Sequence, residues 1–435
     1  MLLQSLLKEG TAQALAAEAL ATMADLMPLP RSITGNGVRQ TLDRLAQITD
    51  LKRHEVPSGT QVFDWQVPNE WNLHEAYIVD PNGERVVDVA NSSLHVVGYS
   101  VPVRCTMPLE ALQAHLHSMP EHPDWIPYRT SYYKESWGFC LRHSDRARLV
   151  PGDYTVVIDA SLGPGHLSYA ECVVPGSGDG EAIIYTHTCH PALANDNLSG
   201  MAIAALLARS LRAEKPRLTW RFIFAPGTIG SLTWLSRNQE NVQNIRGGLV
   251  IGLLGDSGPL TYKRSRLGNS VIDRLAEQAL TELGGARVLD FEPYGYDERQ
   301  FCSPGFNLPI GRLTRSPNAS YPEYHSSADD LSLVSEGQLA GAFRALARIV
   351  GRMDSNRIPI NLKPFGEPQL GRRGLYGMTG GQSPGAFQHA LLWVLNLADG
   401  KHDLAAMASR SGLPFETIEA AAAALEATDL MRSHR

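Results

Sequence analysis

The region of residues 180–352 constrains the fold more than any other part of the sequence. Continuously apolar segments alternate there with helical segments, as in EAIIYTHT, LSGMAIAALLARSLRA, RLTWRFIFAP and GGLVIGLLG. Strands that are apolar along their whole length are typical of parallel sheets, because helices cover both faces of such sheets. We therefore predict an α/β fold with a mostly parallel sheet flanked by helices. Ligands of such folds bind beyond the carboxyl ends of the strands.

The flanking segments predict two further units. Residues 61–175 contain short β-branched and aromatic runs between Pro, Gly and Asn turns, which is typical of a β-rich unit. Residues 355–435 begin with a Pro- and Gly-rich stretch, and helical segments with the spacing of a winged helix follow. We predict an α/β domain formed by residues 1–60 and 176–354, an inserted β-rich domain at 61–175, and a winged-helix-like domain at 355–435.

Charge and cysteine content narrow the classes of partner. The 435 residues include 39 Lys and Arg against 45 Asp and Glu, a net charge of −6, so we do not expect the chain to bind nucleic acid. We expect the winged-helix-like tail to pack against the rest of the chain or to mediate oligomerisation. The sequence leaves open whether the chain forms a homo-oligomer. The five cysteines are widely spaced, as reduced core thiols are, and the amphipathic N-terminus has no long uncharged run. We predict a cytoplasmic protein without membrane contact.

One segment, Thr186–Arg209, has the residue types of a metal site. His190 follows an apolar strand, Asp196 lies six residues later in a polar turn, and an Ala-rich helix comes next. Imidazole and carboxylate at the carboxyl edge of a sheet suit zinc or a similar divalent ion. A histidine that ends a strand and an Asp or Asn that caps a helix explain the pattern equally well. We expect His187 to point to the opposite face, because its spacing from His190 is odd.

Several stretches resemble a bacterial branch of the co-catalytic zinc aminopeptidases. They are LPRSITGNGVRQTL, VPNEWNLHEAYIVD, YYKESWGFC, CHPALANDNLSG, DERQFCSPGFNLP, YPEYHSSADDL and WVLNLADGKHDL. That branch combines an aminopeptidase-like α/β domain, an inserted β-rich domain and a C-terminal winged helix. The resemblance implies that His190, Asp196 and His325 hold metal, that the cofactor is zinc with one ion per chain, and that the substrate is an amide or a short peptide.

The sequence departs from the double-zinc enzymes in the turn after the next strand. Those enzymes carry two glutamates there, a general base and a metal ligand, whereas this chain reads FAPGTIGS. Gly227 stands at the position of the base and Thr228 at that of the ligand. A further aspartate ligand is replaced within Ile251–Gly255, and only Asp256 beyond it is acidic. Loss of a general base typically costs about 10²–10⁴-fold in rate.

Three explanations of Gly227 remain open. The substitution inactivates the chain, another carboxylate has taken over, or the protein binds its ligand without cleaving it. The replacement carboxylates to consider are Glu323, Asp297, Glu298 and Glu135. The residues predicted to contact the substrate are Asp297, Glu298, Arg299, Tyr324 and Glu135. We favour a metal-dependent aminopeptidase-like hydrolase, and the alternative is a catalytically degraded ligand-binding or regulatory protein on the same scaffold.

Overall fold

The computed structural model describes residues 2–375 and 385–433. Part of the Gly-rich stretch that the sequence predicts as a linker, residues 376–384, lies outside them. The helices are α1 (Glu9–Leu26), α2 (Asn36–Leu45), α3 (Leu109–Leu112), α4 (His143–Arg146), α5 (Gly200–Arg212), α6 (Ile229–Arg237), α7 (Val271–Leu283), α8 (Glu298–Phe301), α9 (Glu336–Ser355), α10 (Ala386–Leu397), α11 (Leu404–Ser411) and α12 (Phe415–Ala427).

The strands fall into one large sheet and several small ones. They are β1 (Lys52–Pro57), β2 (Gln61–Val62), β3 (Trp65–Gln66), β4 (Glu70–Val79), β5 (Arg85–Asp88), β6 (Val103–Pro108), β7 (Leu116–His117), β8 (Phe139–Cys140), β9 (Asp153–Gly163), β10 (His166–Val174), β11 (Glu181–His187), β12 (Thr219–Ala225), β13 (Ile245–Ile251), β14 (Thr261–Lys263), β15 (Arg287–Leu289), β16 (Ile310–Thr314), β17 (Pro359–Asn361) and β18 (Met431–Ser433).

The central sheet has eight strands in the order β1-β10-β12-β11-β13-β16-β14-β15. Its middle strands run parallel, since β11 pairs in parallel with β12 and β13, and β13 with β16. The predicted α/β class with a mostly parallel sheet is confirmed. One boundary needs correction: β10, which the prediction included in the inserted domain, pairs with β1 and β12 in the central sheet.

Side chains of β11 alternate between the two layers that cover the sheet. Ala182 and Ile184 join the buried cluster that contains α1, α5 and α9. Ile183 and Tyr185 join the cluster on the other face, with α6 and the inserted domain. Because both faces are covered, the strand has no polar face, which is why its sequence reads as one apolar run.

The inserted domain is built on an antiparallel sheet in the order β5-β4-β9-β6. Its segment Ile126–Tyr128 reaches the loop between β16 and α9. The Tyr128 N–H donates to the His325 carbonyl at 2.8 Å, and the Ser327 N–H donates to the Ile126 carbonyl at 2.8 Å. The two units therefore meet at the loop that carries His325.

The tail contains α10, α11 and α12 and a two-stranded sheet of β17 and β18. Its apolar residues belong to the same buried cluster as those of α7 and α9. Arg352 at the end of α9 is fully buried and pairs with Glu282 at 2.5 Å and with Glu416 of α12 at 2.8 Å. Among the described residues, no helix has the length and apolar character needed to cross a membrane.

Candidate metal and catalytic site

The predicted ligands come from two loops at the carboxyl edge of the central sheet. His190 lies three residues after the end of β11, and Asp196 lies in the turn that leads into α5. His325 lies in the loop between β16 and α9, 129 residues from Asp196 in the sequence. The structure brings all three together, and one ligand atom from each lies within 4.8 Å of the others.

Asp196 is the centre of this cluster. Its carboxylate is fully buried, and Oδ2 lies 3.2 Å from His190 Nδ1 and 3.1 Å from His325 Nε2. Zinc bonds of 2.0–2.2 Å in a tetrahedral arrangement place neighbouring ligand atoms about 3.3 Å apart. Two imidazoles and one carboxylate at these separations therefore fit a zinc ion in both geometry and donor type.

The charges of the cluster depend on one another. Burial raises the pKa of Asp196, but His190, His187 and His325 outweigh it, and the net pKa lies well below the ordinary value. Burial lowers the pKa of His190, and the Asp196 carboxylate more than reverses this. For His325, burial prevails and lowers the pKa. A buried carboxylate thus requires positive charge beside it, which either protons on the histidines or a metal ion supplies.

His187 belongs to the cluster, and the prediction that it points away from His190 is wrong. The two rings lie 4.7 Å apart, and His187 Nε2 is 3.1 Å from Asp196 Oδ1. The parity rule holds along an extended strand, but β11 ends at His187, and the chain turns before it reaches His190. His187 therefore approaches the carboxylate oxygen that the other two histidines leave free.

Two further residues that the sequence analysis missed hold Asp196 in place. The Asp329 carboxylate accepts the N–H groups of Asn195 at 2.5 Å and Asp196 at 3.0 Å. The Tyr296 hydroxyl donates to Asp196 Oδ1 at 2.9 Å. Both residues could have been found from the sequence, because each lies close to a predicted site residue. Asp329 follows His325 by four residues, and Tyr296 directly precedes Asp297. Contacts of this kind orient metal ligands.

The inserted domain also contacts the ligands directly. The Tyr128 ring packs edge-on against His190 and His325, with centroid distances of 5.0 and 5.1 Å. His325 has a φ of 57°, a left-handed conformation that is uncommon for residues other than glycine. Because the Tyr128 N–H binds the His325 carbonyl, the inserted domain helps to hold this conformation.

Gly227 and Asp297 lie together at the start of α6. Asp297 is buried, and its Oδ1 accepts the Thr228 N–H at 2.7 Å and the Ser231 hydroxyl at 2.5 Å. A Cβ at position 227 would lie 3.9 Å from Asp297 Oδ2 and 3.6 Å from Cys189 Sγ. The structure therefore places Asp297 beside Gly227, the position at which the resemblance implies a general base.

The other predicted site residues divide into near and distant ones. The Tyr324 ring stacks on His325 at 3.9 Å, so it lies beside the cluster. Glu323 and Arg299 are half-buried, and in the described part of the chain neither forms an ion pair. Glu298 is fully buried, with Oε1 2.7 Å from Lys263 Nζ, and Glu135 is exposed. A contact of either residue with the substrate stays a prediction.

The fold around this site is that of the zinc aminopeptidases. A zinc aminopeptidase from Bacillus subtilis superposes with a TM-score of 0.57 at 13% identity, over 77% of this chain and 94% of that one. A crystal structure from Clostridium acetobutylicum, of a protein described as a peptidase, superposes with a TM-score of 0.90 at 43% identity, over 98% of each chain. The chain therefore has an aminopeptidase-like fold.

The sequence comparison defines the family more narrowly. The family described as "Domain of unknown function (DUF4910)" matches residues 20–356, and a winged helix-turn-helix family matches residues 357–433. A Clostridium acetobutylicum protein is 47% identical over 410 residues, 94% of each chain, and its name refers to polysaccharide biosynthesis and an aminopeptidase-like domain. This chain belongs to the DUF4910 family, and the expected C-terminal winged helix is confirmed.

Proposed function

We propose that the chain is a zinc-dependent hydrolase of an amide or a short peptide, with one zinc ion held by His190, Asp196 and His325. The observation that carries the proposal is the Asp196 carboxylate, whose Oδ2 lies within 3.2 Å of two imidazole nitrogens. Three protein ligands are the usual number in catalytic zinc sites, whereas structural sites have four. When bound, zinc supplies Lewis acidity toward water and an amide carbonyl.

The surrounding side chains bind and orient rather than react. Asp329 and Tyr296 fix the Asp196 carboxylate through hydrogen bonds, and Tyr128 and Tyr324 cover the two ligand histidines with their rings. These aromatic walls exclude water from the side of the cluster that they cover. The name of the Clostridium relative supports a biosynthetic role, with an amide formed or trimmed in a saccharide pathway as the substrate.

A ligand-binding or regulatory protein is the second candidate, and Gly227 is the observation that favours it. Glycine has no side chain to accept a proton, so a chain without a replacement base would hold metal and ligand and turn over slowly. Nucleic acid is not the ligand that we propose. Helix α12 carries no lysine or arginine that could pair with phosphate, and two of its three glutamates pair with arginines of this chain.

Zinc analysis of the purified protein together with a hydrolysis screen tests the proposal. We expect one zinc per chain and metal-dependent cleavage of aminoacyl-p-nitroanilides, dipeptides or N-acylated amino sugars. His190→Ala is expected to lose both zinc and activity. A protein that holds zinc but cleaves none of these compounds, even as Gly227→Glu, would be the binding protein of the second candidate.

A further inference from the structure

Gly227 leaves usable space beside the cluster. A Cβ built there would lie 3.6 Å from Cys189 Sγ and 3.9 Å from both Asp297 Oδ2 and His187 Cβ, which are ordinary van der Waals distances. His187 in turn places its Nε2 3.1 Å from Asp196 Oδ1. The position beside Gly227 is therefore bordered by Asp297, Cys189 and His187, and His187 connects it to the ligand cluster.

Asp297 presents one free oxygen to this space. Its Oδ1 accepts two hydrogen bonds, from Thr228 and Ser231, but its buried Oδ2 has no hydrogen-bond partner among the described residues. A buried carboxylate oxygen without a protein partner is costly, and in native structures such a group meets ordered water or an ion, or has a catalytic role. Burial raises the pKa of Asp297 to about 6, close to the value that suits a base at neutral pH.

A strained turn at Thr228 holds the Asp297 carboxylate beside Gly227. Thr228 has φ 59° and ψ −71°, and the Ile229 N–H donates to the Gly227 carbonyl at 2.8 Å, which together define a γ-turn with positive φ. Such turns cost about 1–3 kcal/mol and persist where surrounding contacts enforce them. The turn directs the Thr228 N–H at Asp297 Oδ1, so Oδ2 is the oxygen left facing the space.

We propose that Asp297 acts as the general base in place of the missing glutamate, by way of water in the space that Gly227 leaves. This inference rests on the proposed hydrolase function. As a water oxygen bonds to the amide carbonyl carbon, one of its protons passes to Asp297 Oδ2. Asp297 then gives that proton to the amide nitrogen as the C–N bond breaks, which releases a carboxylic acid and an amine and restores the carboxylate.

The central experiment compares the wild type, D297N, G227E and the double variant G227E/D297N on a panel of aminoacyl-p-nitroanilides. Asparagine keeps an oxygen for the Thr228 and Ser231 donors but cannot accept the proton. We expect D297N to lower kcat by about 10²–10⁴-fold with zinc content unchanged, and G227E to restore most of that loss in the double variant. A merely structural role of Asp297 would not be rescued by a glutamate at position 227.

Titration gives a readout that does not depend on turnover. Difference infrared spectra of the wild type should show a carboxyl group that ionises near pH 6 and is missing in D297N. The titratable groups that face Asp297 are His187, Cys189 and Tyr185, and none of them is a carboxyl group. Since the base must be ionised, kcat/KM of the wild type should rise with pH through about 6, and D297N should lack this limb.

D273N is the matched control, because Asp273 is a fully buried carboxylate whose hydrogen bonds cap α7. It should lower the melting temperature and leave kcat unchanged. If D297N does not fold, G227A replaces it: a methyl group in the space should lower kcat about tenfold or more.

Each outcome decides the inference. A wild type that is active and insensitive to D297N, or to G227A, overturns it. An inactive wild type with an active G227E overturns it but leaves the hydrolase scaffold standing. Zinc-loaded variants that are all inactive overturn the proposed function as well.

Discussion

The two parts of the candidate site, the ligand side and the base side, differ in how completely their polar groups are partnered. On the ligand side, formed by His190, Asp196 and His325, every charged group faces an opposite or neutral partner within 3.2 Å. On the base side, formed by Gly227 and Asp297, a side chain is missing and a buried oxygen has no partner among the described residues. We therefore expect metal binding and proton transfer to be separable, so substitutions on the two sides should have different effects.

Removing a ligand should have the largest effect. His190→Ala or His325→Ala leaves the buried Asp196 with too few donors, so we expect bound zinc to fall from about one per chain to none, and activity to fall with it. Metal analysis after dialysis measures this. His166→Ala is the control, because His166 is exposed and lies outside the cluster.

A wild-type stoichiometry near two zinc ions per chain would contradict the single-metal prediction. The second cluster of potential donors in the described residues, His187 with Cys189 and His190, would then be the place to search. In that case more residues than His190, Asp196 and His325 would bind metal.

Removing a support of the ligand side should have an intermediate effect. Asp329→Asn turns an NH₂ group toward one of the two backbone N–H donors at Asn195 and Asp196, which loosens the turn that positions Asp196. We expect zinc affinity to fall by about 10–100-fold, measured by competition with a chelator. Asp330→Asn is the neighbouring control, because its carboxylate only caps a short helix at Ser332. Equal losses in the two variants would contradict the assignment.

The smallest effect is expected from removing a single hydrogen bond to Asp297 on the base side. Ser231→Ala removes one donor to Asp297 Oδ1, a contact that lowers the pKa of the carboxyl, so the pKa should rise above about 6. A base with a higher pKa ionises at higher pH, so the rising limb of kcat/KM should move to higher pH with zinc content unchanged. If the rising part of the kcat/KM profile stays at the same pH, Asp297 is not the group that accepts the proton.

Much of the fold and part of the candidate site were predictable from the sequence. Apolar strands alternating with helices predicted the parallel sheet, since the physical cause, coverage of both sheet faces, leaves its mark on every strand. His190 and Asp196 were singled out because they follow an apolar strand, and His325 was proposed from the resemblance to the zinc aminopeptidases. The structure brings the three side chains together. The misplacement of β10 came from its similar composition to the strands of the inserted domain, because pairing partners are not encoded in a strand's own residues.

What the sequence determined by itself is therefore the chemistry available. It places His190 and Asp196 after an apolar strand, and the family resemblance adds His325 and a glycine, Gly227, where it implies a glutamate. Only the tertiary structure decided which groups face one another. His187 contacts Asp196 because the chain turns at the end of β11. Tyr128 contacts His325 because the inserted domain packs against the loop that carries His325. Asp297 and Gly227 lie 70 residues apart in the sequence, and the fold brings them into contact. The strained turn at Thr228 then determines which oxygen of Asp297 has no partner among the described residues. Neither fact can be read from the local residue pattern.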